Sequence, residues 1–494
     1  MFKQLQLLLK QKYLFDYLFY TGFIFFTIIA LVSGKFIYKP FGDRDLPSYL
    51  FEWESLSYVL SQHRTIGLPF FLQIFIFNNI SFKLWPYFQY SCMALSILYL
   101  HYSFKIVFKN KFLIFILSIL FLLMAYSQRY AVVVSEPLAF AALNFSFGAF
   151  LLAIKRSKKV DLAALLIATF FAYQIRPAFI VLPIAFLLCS FYLFFIKDIN
   201  RNILASISIL LIAPLFLFFS LRFFVVGQFG LVAFTGPHLA GHAVMYLDQD
   251  TINSLPENNK DFAGKLLESK TKLDPLSTEG YDCRALEKFN ITSYSSILLR
   301  YKSELSCWNF LNMTAWVIAI NDIKKTWPLE NASQNLDPWN HVHTLASYFS
   351  GDNVKVDKYL VNQSVEILKI KYKSYFSWIF SAFFISPIAY LLSGSRFYLS
   401  CILVGILTIL GYLEKKKNLK FILEIDVNDR NILNNVFFVF SLVFLTLSLL
   451  PLILLTVPLA RYLTAAFYFF YPAFVLCTFL RLYKYNVNDQ KNEF

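Results

Sequence analysis

The chain has 494 residues, of which 58% are hydrophobic, 19% aromatic and only 15% charged. A water-soluble chain carries about a quarter charged residues, so this composition excludes an ordinary soluble enzyme. The net charge of +15 argues for nucleic acid only if it lies on one polar surface; here Lys and Arg stand in short clusters beside apolar runs, and no nucleic-acid partner is expected.

Those clusters report topology. Lys3, Lys10 and Lys12 precede the first apolar run. Lys105, Lys109 and Lys111, then Lys155, Arg156, Lys158 and Lys159, then Lys197 and Arg201, follow alternate later runs. Lys415, Lys416, Lys417 and Lys420 form another group, and Arg481 and Lys484 close the series. The positive-inside bias places all of them in the cytoplasm. With that constraint, ten spans are expected, at 13–38, 85–106, 112–127, 137–154, 161–175, 178–196, 203–226, 395–413, 433–457 and 463–480. The expected fold is an all-α polytopic membrane protein with both termini cytoplasmic. The run from Tyr13 to Tyr38 is too long for a signal-peptide core and lacks a small-residue cleavage site, so it reads as a retained helix.

In chain order, the first exterior loop covers 39–84 and holds an amphipathic stretch, Leu46 to Gln62, and a short apolar one, Gly67 to Phe77. Both are expected as helices lying on the membrane surface. After 1–226, the segment 227–374 carries most of the Asn, Asp, Glu and Ser and is long enough for a mostly helical exterior domain. The region 375–494 returns to the membrane and ends in a cytoplasmic tail. Within it, 375–394 is apolar enough to cross, yet a crossing would place the 415–420 lysines outside. It is expected to be interfacial or re-entrant. Cys92, Cys189, Cys401 and Cys477 fall in apolar runs, where a thiol acts as a small hydrophobe. Cys283 and Cys307 fall in the exterior domain, where a disulfide is permitted.

The chemistry concentrates at the exterior turns. Asp43, Arg44, Asp45, Glu52, Glu54, His63 and Arg64 crowd the first loop. If a helix starts at Leu46, Asp45 caps it and shares a face with Tyr49. Arg129 and Glu136 lie in the Ser127–Pro137 turn, Arg176 precedes Pro177 between two spans, and Arg461-Tyr462 precedes the last span. An isolated arginine at a membrane edge usually snorkels. Arginines at every exterior hairpin, with carboxylates among them, instead suit a phosphate-bearing substrate, since guanidinium forks bind phosphate and a carboxylate can act as base.

Taken in order, Asp45-Leu-Pro-Ser-Tyr49, Arg64-Thr-Ile-Gly67-Leu-Pro69, Ser135-Glu136-Pro137, Arg176-Pro177 and Arg461-Tyr462 resemble the GT-C superfamily of integral-membrane glycosyltransferases. The likeness is to bacterial aminoarabinose transferases and protein O-mannosyltransferases, over roughly 1–226 and 395–482. It implies sugar transfer from a polyprenyl-phosphate donor, at the outer face of a bacterial plasma membrane, to a glycan, lipid or protein acceptor. By that resemblance Asp45 is the base, with Asp43 as the alternative within Asp43-Arg44-Asp45. Glu136 orients the acceptor or shares a divalent metal, and Tyr49, Arg64, Arg129, Arg176, Arg461 and Tyr462 bind substrate. His238 and His242 are four apart, but Gly241 between them and the lack of a third ligand favour a structural or acceptor-contact role over metal. The rival readings are a transporter or lipid-linked glycan flippase, and a ligase that moves whole glycans.

Overall fold

A computed structural model describes residues 13–39, 49–50, 53, 55–62, 64–128, 130–196, 198–273, 312, 314–320, 322–323, 353–392, 405, 429, 431–455 and 460–476. Every regular element among them is a helix. The first region comprises α1 (Leu14–Val32), α2 (Leu56–Ser61), α3 (Gly67–Phe77), α4 (Trp85–Val107), α5 (Lys111–Tyr126), α6 (Glu136–Arg156), α7 (Lys159–Ile175), α8 (Val181–Phe195) and α9 (Arg201–Val226). Then come α10 (Thr235–Met245), α11 (Gln249–Ser254), α12 (Glu257–Leu273), α13 (Asn353–Ile370), α14 (Tyr372–Leu392), α15 (Val439–Leu455) and α16 (Ala460–Ala466).

Five helical stretches are long and apolar enough to cross a membrane: Leu14–Val32, Glu136–Arg156, Pro177–Phe195, Arg201–Val226 and Ile432–Leu450. By length and composition they mark an integral membrane protein. Their burial separates centre from rim. In its most apolar stretch α6 is 89% buried, against 11% for α1 and 17% for α9. Hence α6 is the central post, and Phe216, Leu217 and Phe224 of α9 stay exposed on the outer face. Lipid tails are as apolar as these side chains, so helix association here rests on packing rather than on water exclusion. The packing is aromatic: Phe147 of α6 meets Phe440 at 4.8 Å and Phe469 at 4.7 Å, and Phe140 stacks on Tyr468 at 4.6 Å. Each such pair is worth about 0.5–1.5 kcal/mol beyond its buried area.

Three expectations need correction. The first span was expected to reach 38, but α1 stops at Val32, and Lys35 folds back to donate from its ammonium to the Tyr126 carbonyl at the end of α5. A cation at a helix C-terminus is favourable, and the turn follows from it. The stretch 46–62 is not one helix. Ser55 is extended and N-caps α2, accepting from the Tyr58 N–H at 3.1 Å, so a short helix starts only after it. The third concerns only the re-entrant alternative for 375–394, which needs a chain reversal, whereas α14 runs unbroken from Tyr372 to Leu392; the interfacial alternative is unaffected. The expected span 395–413, apart from residue 405, lies outside the described residues, as do Cys283, Cys307, Cys401 and Cys477. Cys92 and Cys189 are free thiols.

A second core, separate from that of the bundle, gathers Ala240, Val244, Phe262, Leu266, Trp316 and Leu360 from α10, α12, the helical residues 314–320 and α13. Gly236 makes its closest joint, because a Cβ there would lie 2.3 Å from the Asp357 carbonyl oxygen. Only glycine lets α10 approach α13 so nearly. His242 fixes this unit to the bundle side, packing on Trp378 at 4.6 Å, while the Tyr375 hydroxyl donates to the Leu454 carbonyl at 2.6 Å.

Asp248 ties the same unit to the start of α14. It caps α11 by accepting from the Thr251 N–H at 2.8 Å and pairs with Lys371 at 2.7 Å. Burial alone would raise its carboxyl, but the Lys371 ammonium and the Thr251 hydroxyl and N–H outweigh burial and hold it down at about 2. An unfolded aspartate titrates near about 3.9. The folded value is the lower one, so the contribution is complete above about pH 4 and is lost as pH falls through about 2. The Asp248 side chain is 52% exposed, which keeps the effect small. In Asp248→Asn the protons linked to unfolding between about pH 4 and pH 2 should fall by up to about one. Thermal midpoints measured against pH in detergent test this, and an unchanged dependence would refute the pairing.

Candidate functional site

At one end of the bundle three segments meet through short-range sterics. Pro177 disfavours helical geometry in the residue before it. Helix α7 therefore ends at Ile175, and Arg176 is extended at φ −135° and ψ 109°. Its guanidinium then reaches the first residue of α6, with Nη1 2.9 Å from Oε1 of Glu136. Arg176 is buried and Glu136 half-buried. The carboxylate also sits in the first turn of α6, where the helix dipole favours negative charge. A guanidinium removed from water costs several kcal/mol unless compensated, so this pair governs how the two turns are held.

The first loop joins at the same place. A Cβ on Gly67 would lie 2.6 Å from the backbone carbon and oxygen of Gln174, so α3 begins directly against the end of α7. The second loop is tied to the start of the first by the Lys39 N–H donating to the Ala131 carbonyl at 2.9 Å, and to α4 by the Gln89 side-chain amide donating to the Val132 carbonyl at 3.1 Å. In the last turn of α7, Gln174 is 1% exposed and neither atom of its amide is hydrogen-bonded; the Tyr173 hydroxyl, equally buried, is in the same state. Buried polar groups without partners are rare, and each asks for an explanation.

Arg64 lies over the Tyr49 ring at 4.8 Å and within 5.9 Å of the Phe234 ring. These are cation–π contacts, which join the first loop to the residue preceding α10. So the structure brings Glu136 with Arg176, and Tyr49 with Arg64. Asp43, Asp45 and Arg129 lie outside the described residues; Arg461 and Tyr462 belong to α16, but their side chains lie outside what is described. His242 is fully buried against Trp378 and Tyr375, and His238 packs edge-on to Phe234 at 4.3 Å. Among the described residues there is no group of three or more His, Cys, Asp or Glu that could hold a metal ion.

Sequence reasoning missed Arg222. It lies in the last turns of α9 and is fully buried, with Nε donating to the Leu60 carbonyl at 2.8 Å and Nη2 to the Gln228 amide oxygen at 2.6 Å. Gln228 in turn donates to Asp357 of α13 at 2.5 Å. Burial pushes the Asp357 carboxyl up, against the Gly236 N–H, the Gln228 amide and the Arg222 charge, which pull it down. The signal was present: an arginine inside an apolar span is costly and therefore has a purpose.

Comparison with family models, with curated proteins and with solved structures finds no match.

Proposed function

We propose that this chain is a GT-C-type glycosyltransferase that moves a sugar from a polyprenyl-phosphate donor to an acceptor at the extracytoplasmic face of the membrane. The observation that carries the reading is the Glu136–Arg176 pair, formed by two separate turns, with the first loop packed at Gly67 against the end of α7 that leads into Arg176. The ordered motifs lead one to expect that meeting, and a bundle edge with snorkelling arginines does not require it. Gln174 and Tyr173, in the last turn of α7 before Arg176, add buried hydrogen-bonding atoms of the kind a hydroxyl-rich sugar needs.

The topology that fits is ten spans with both termini cytoplasmic and 227–374 outside, since it keeps the Lys and Arg clusters that flank those ten spans on the inner side. Nucleotide sugars stay in the cytoplasm, and the sequence carries no Gly-rich phosphate-loop motif, so an outward site calls for a lipid-linked donor. In the reaction the acceptor oxygen or nitrogen attacks the anomeric carbon, and the bond from that carbon to the phosphate oxygen breaks. Polyprenyl phosphate leaves. The acceptor proton passes to Asp45, with Asp43 as the alternative base, and the arginines of the exterior turns stabilise the negative charge that develops on the phosphate. Glu136 keeps the Arg176 fork in place. The same carboxylate with Asp45 is where a divalent metal would bind if the reaction uses one.

Protein reconstituted in vesicles with labelled polyprenyl-phosphate sugars and an envelope lipid and glycan extract tests the assignment. Label should pass to the extract with release of polyprenyl phosphate. Movement of intact labelled lipid between leaflets without transfer would establish the flippase reading in its place.

A further inference from the structure

Arg222 and Asp357 are both buried, yet they do not touch. Their charges communicate through Gln228, whose amide oxygen accepts from Arg222 Nη2 at 2.6 Å and whose NH2 donates to Asp357 Oδ2 at 2.5 Å. The chemistry fixes that orientation, because a guanidinium only donates and a carboxylate only accepts. At the far ends, Arg222 Nε donates to Leu60 of α2 at 2.8 Å, and Asp357 Oδ1 accepts from the Gly236 N–H of α10 at 2.7 Å. Nη1 holds the Gly230 carbonyl at 3.2 Å. One relay thus runs from the first loop, through a bundle helix, to the two helices that begin and end the 227–374 region.

Buried ions tolerate such an arrangement only when it is complete. A displaced α2 takes an acceptor from Arg222; an undocked α13 takes its counter-charge. A second contact connects the same parts independently, since Arg64, just after α2, lies between the rings of Tyr49 and Phe234, and Phe234 precedes α10. We infer that Arg222 is a positioning residue that makes the placement of the first loop and the docking of the 227–374 domain a single event. Coupling of this kind is reciprocal: what binds the first loop tightens the domain, and what binds the domain presents the first loop. Only the identity of the ligand rests on the glycosyltransferase reading; the coupling does not.

Hydrogen exchange on the full-length protein in detergent tests the coupling. In Arg222→Met, exchange should rise about tenfold or more at both 56–61 and 236–240, while amides of α5 keep their wild-type rates. Asp357→Asn is the milder variant and the sharper test. Asn retains an oxygen for the Gly236 N–H but turns an NH2 toward the NH2 of Gln228. With the Asn oxygen kept on the backbone N–H groups of Gly236 and Thr235, relief requires Gln228 to flip, which withdraws its oxygen from Arg222. A change in the distant domain should therefore loosen 56–61, and Gln228→Leu should do the same. Loosening confined to 236–240 in Asp357→Asn, or a uniform rise that includes α5, would overturn the proposal. With a polyprenyl-phosphate sugar, Asp357→Asn should raise KM more than it lowers kcat. If wild-type protein neither binds nor transfers that donor, the functional reading fails, and the exchange data still decide the coupling.

Discussion

Asp45→Asn is expected to lower sugar transfer by about 100-fold to 10,000-fold, the usual worth of a positioned general base. Asn is nearly isosteric and can still cap a helix, so expression and thermal midpoint in detergent should stay near wild type. Tyr49, four residues on, is 6% exposed and lies beneath the Arg64 guanidinium. Asp43→Asn is the control within the same tripeptide. Loss of turnover in Asp43→Asn with full activity in Asp45→Asn would move the base two residues. Normal transfer by both variants would remove the first loop from the chemistry.

Glu136→Gln separates holding from catalysis. The substitution keeps an oxygen for Arg176 but removes the charge facing a guanidinium that is 5% exposed. Breaking a fully buried pair costs about 3–5 kcal/mol; a retained hydrogen bond and a carboxylate at the edge of solvent bring the expected loss to about 2 kcal/mol. For activity, the sign of the donor term is informative. With the carboxylate's charge gone, one competitor for the Arg176 guanidinium is lost, so KM for a phosphate-bearing donor should not rise, whereas kcat should fall by about tenfold or more as the fork loses its fixed position. Arg176→Lys should act in the opposite sense, weakening donor binding because an ammonium lacks the planar fork. Steady-state kinetics on matched amounts of folded protein distinguish these outcomes. Equal loss of donor affinity in both variants would mean that the pair only braces the turns.

What could be read from the residues follows from short-range rules. Bilayer thickness demands long apolar runs, so composition alone revealed the class and located α6, α8 and α9 within a few residues. Pro177 after Arg176 and Pro137 after Glu136 mark the starts of helical segments, and the helix at Gly67–Phe77 was visible as an apolar run too short to cross. The break at Ser55 was harder, because its capping hydroxyl competes locally with an amphipathic pattern that continues across it.

By itself, then, the amino-acid order determined an all-helical membrane chain with charged turns, because hydropathy and turn chemistry act within one element. Tertiary structure decided which charges meet. Glu136 and Arg176 are 40 residues apart, and Arg222 reaches Leu60 directly and Asp357 through Gln228 across still longer stretches of sequence. No periodicity encodes those separations. They arise because a buried guanidinium must find acceptors wherever packing brings them, and in this fold packing brings them at the junction of the first loop, α9 and α13.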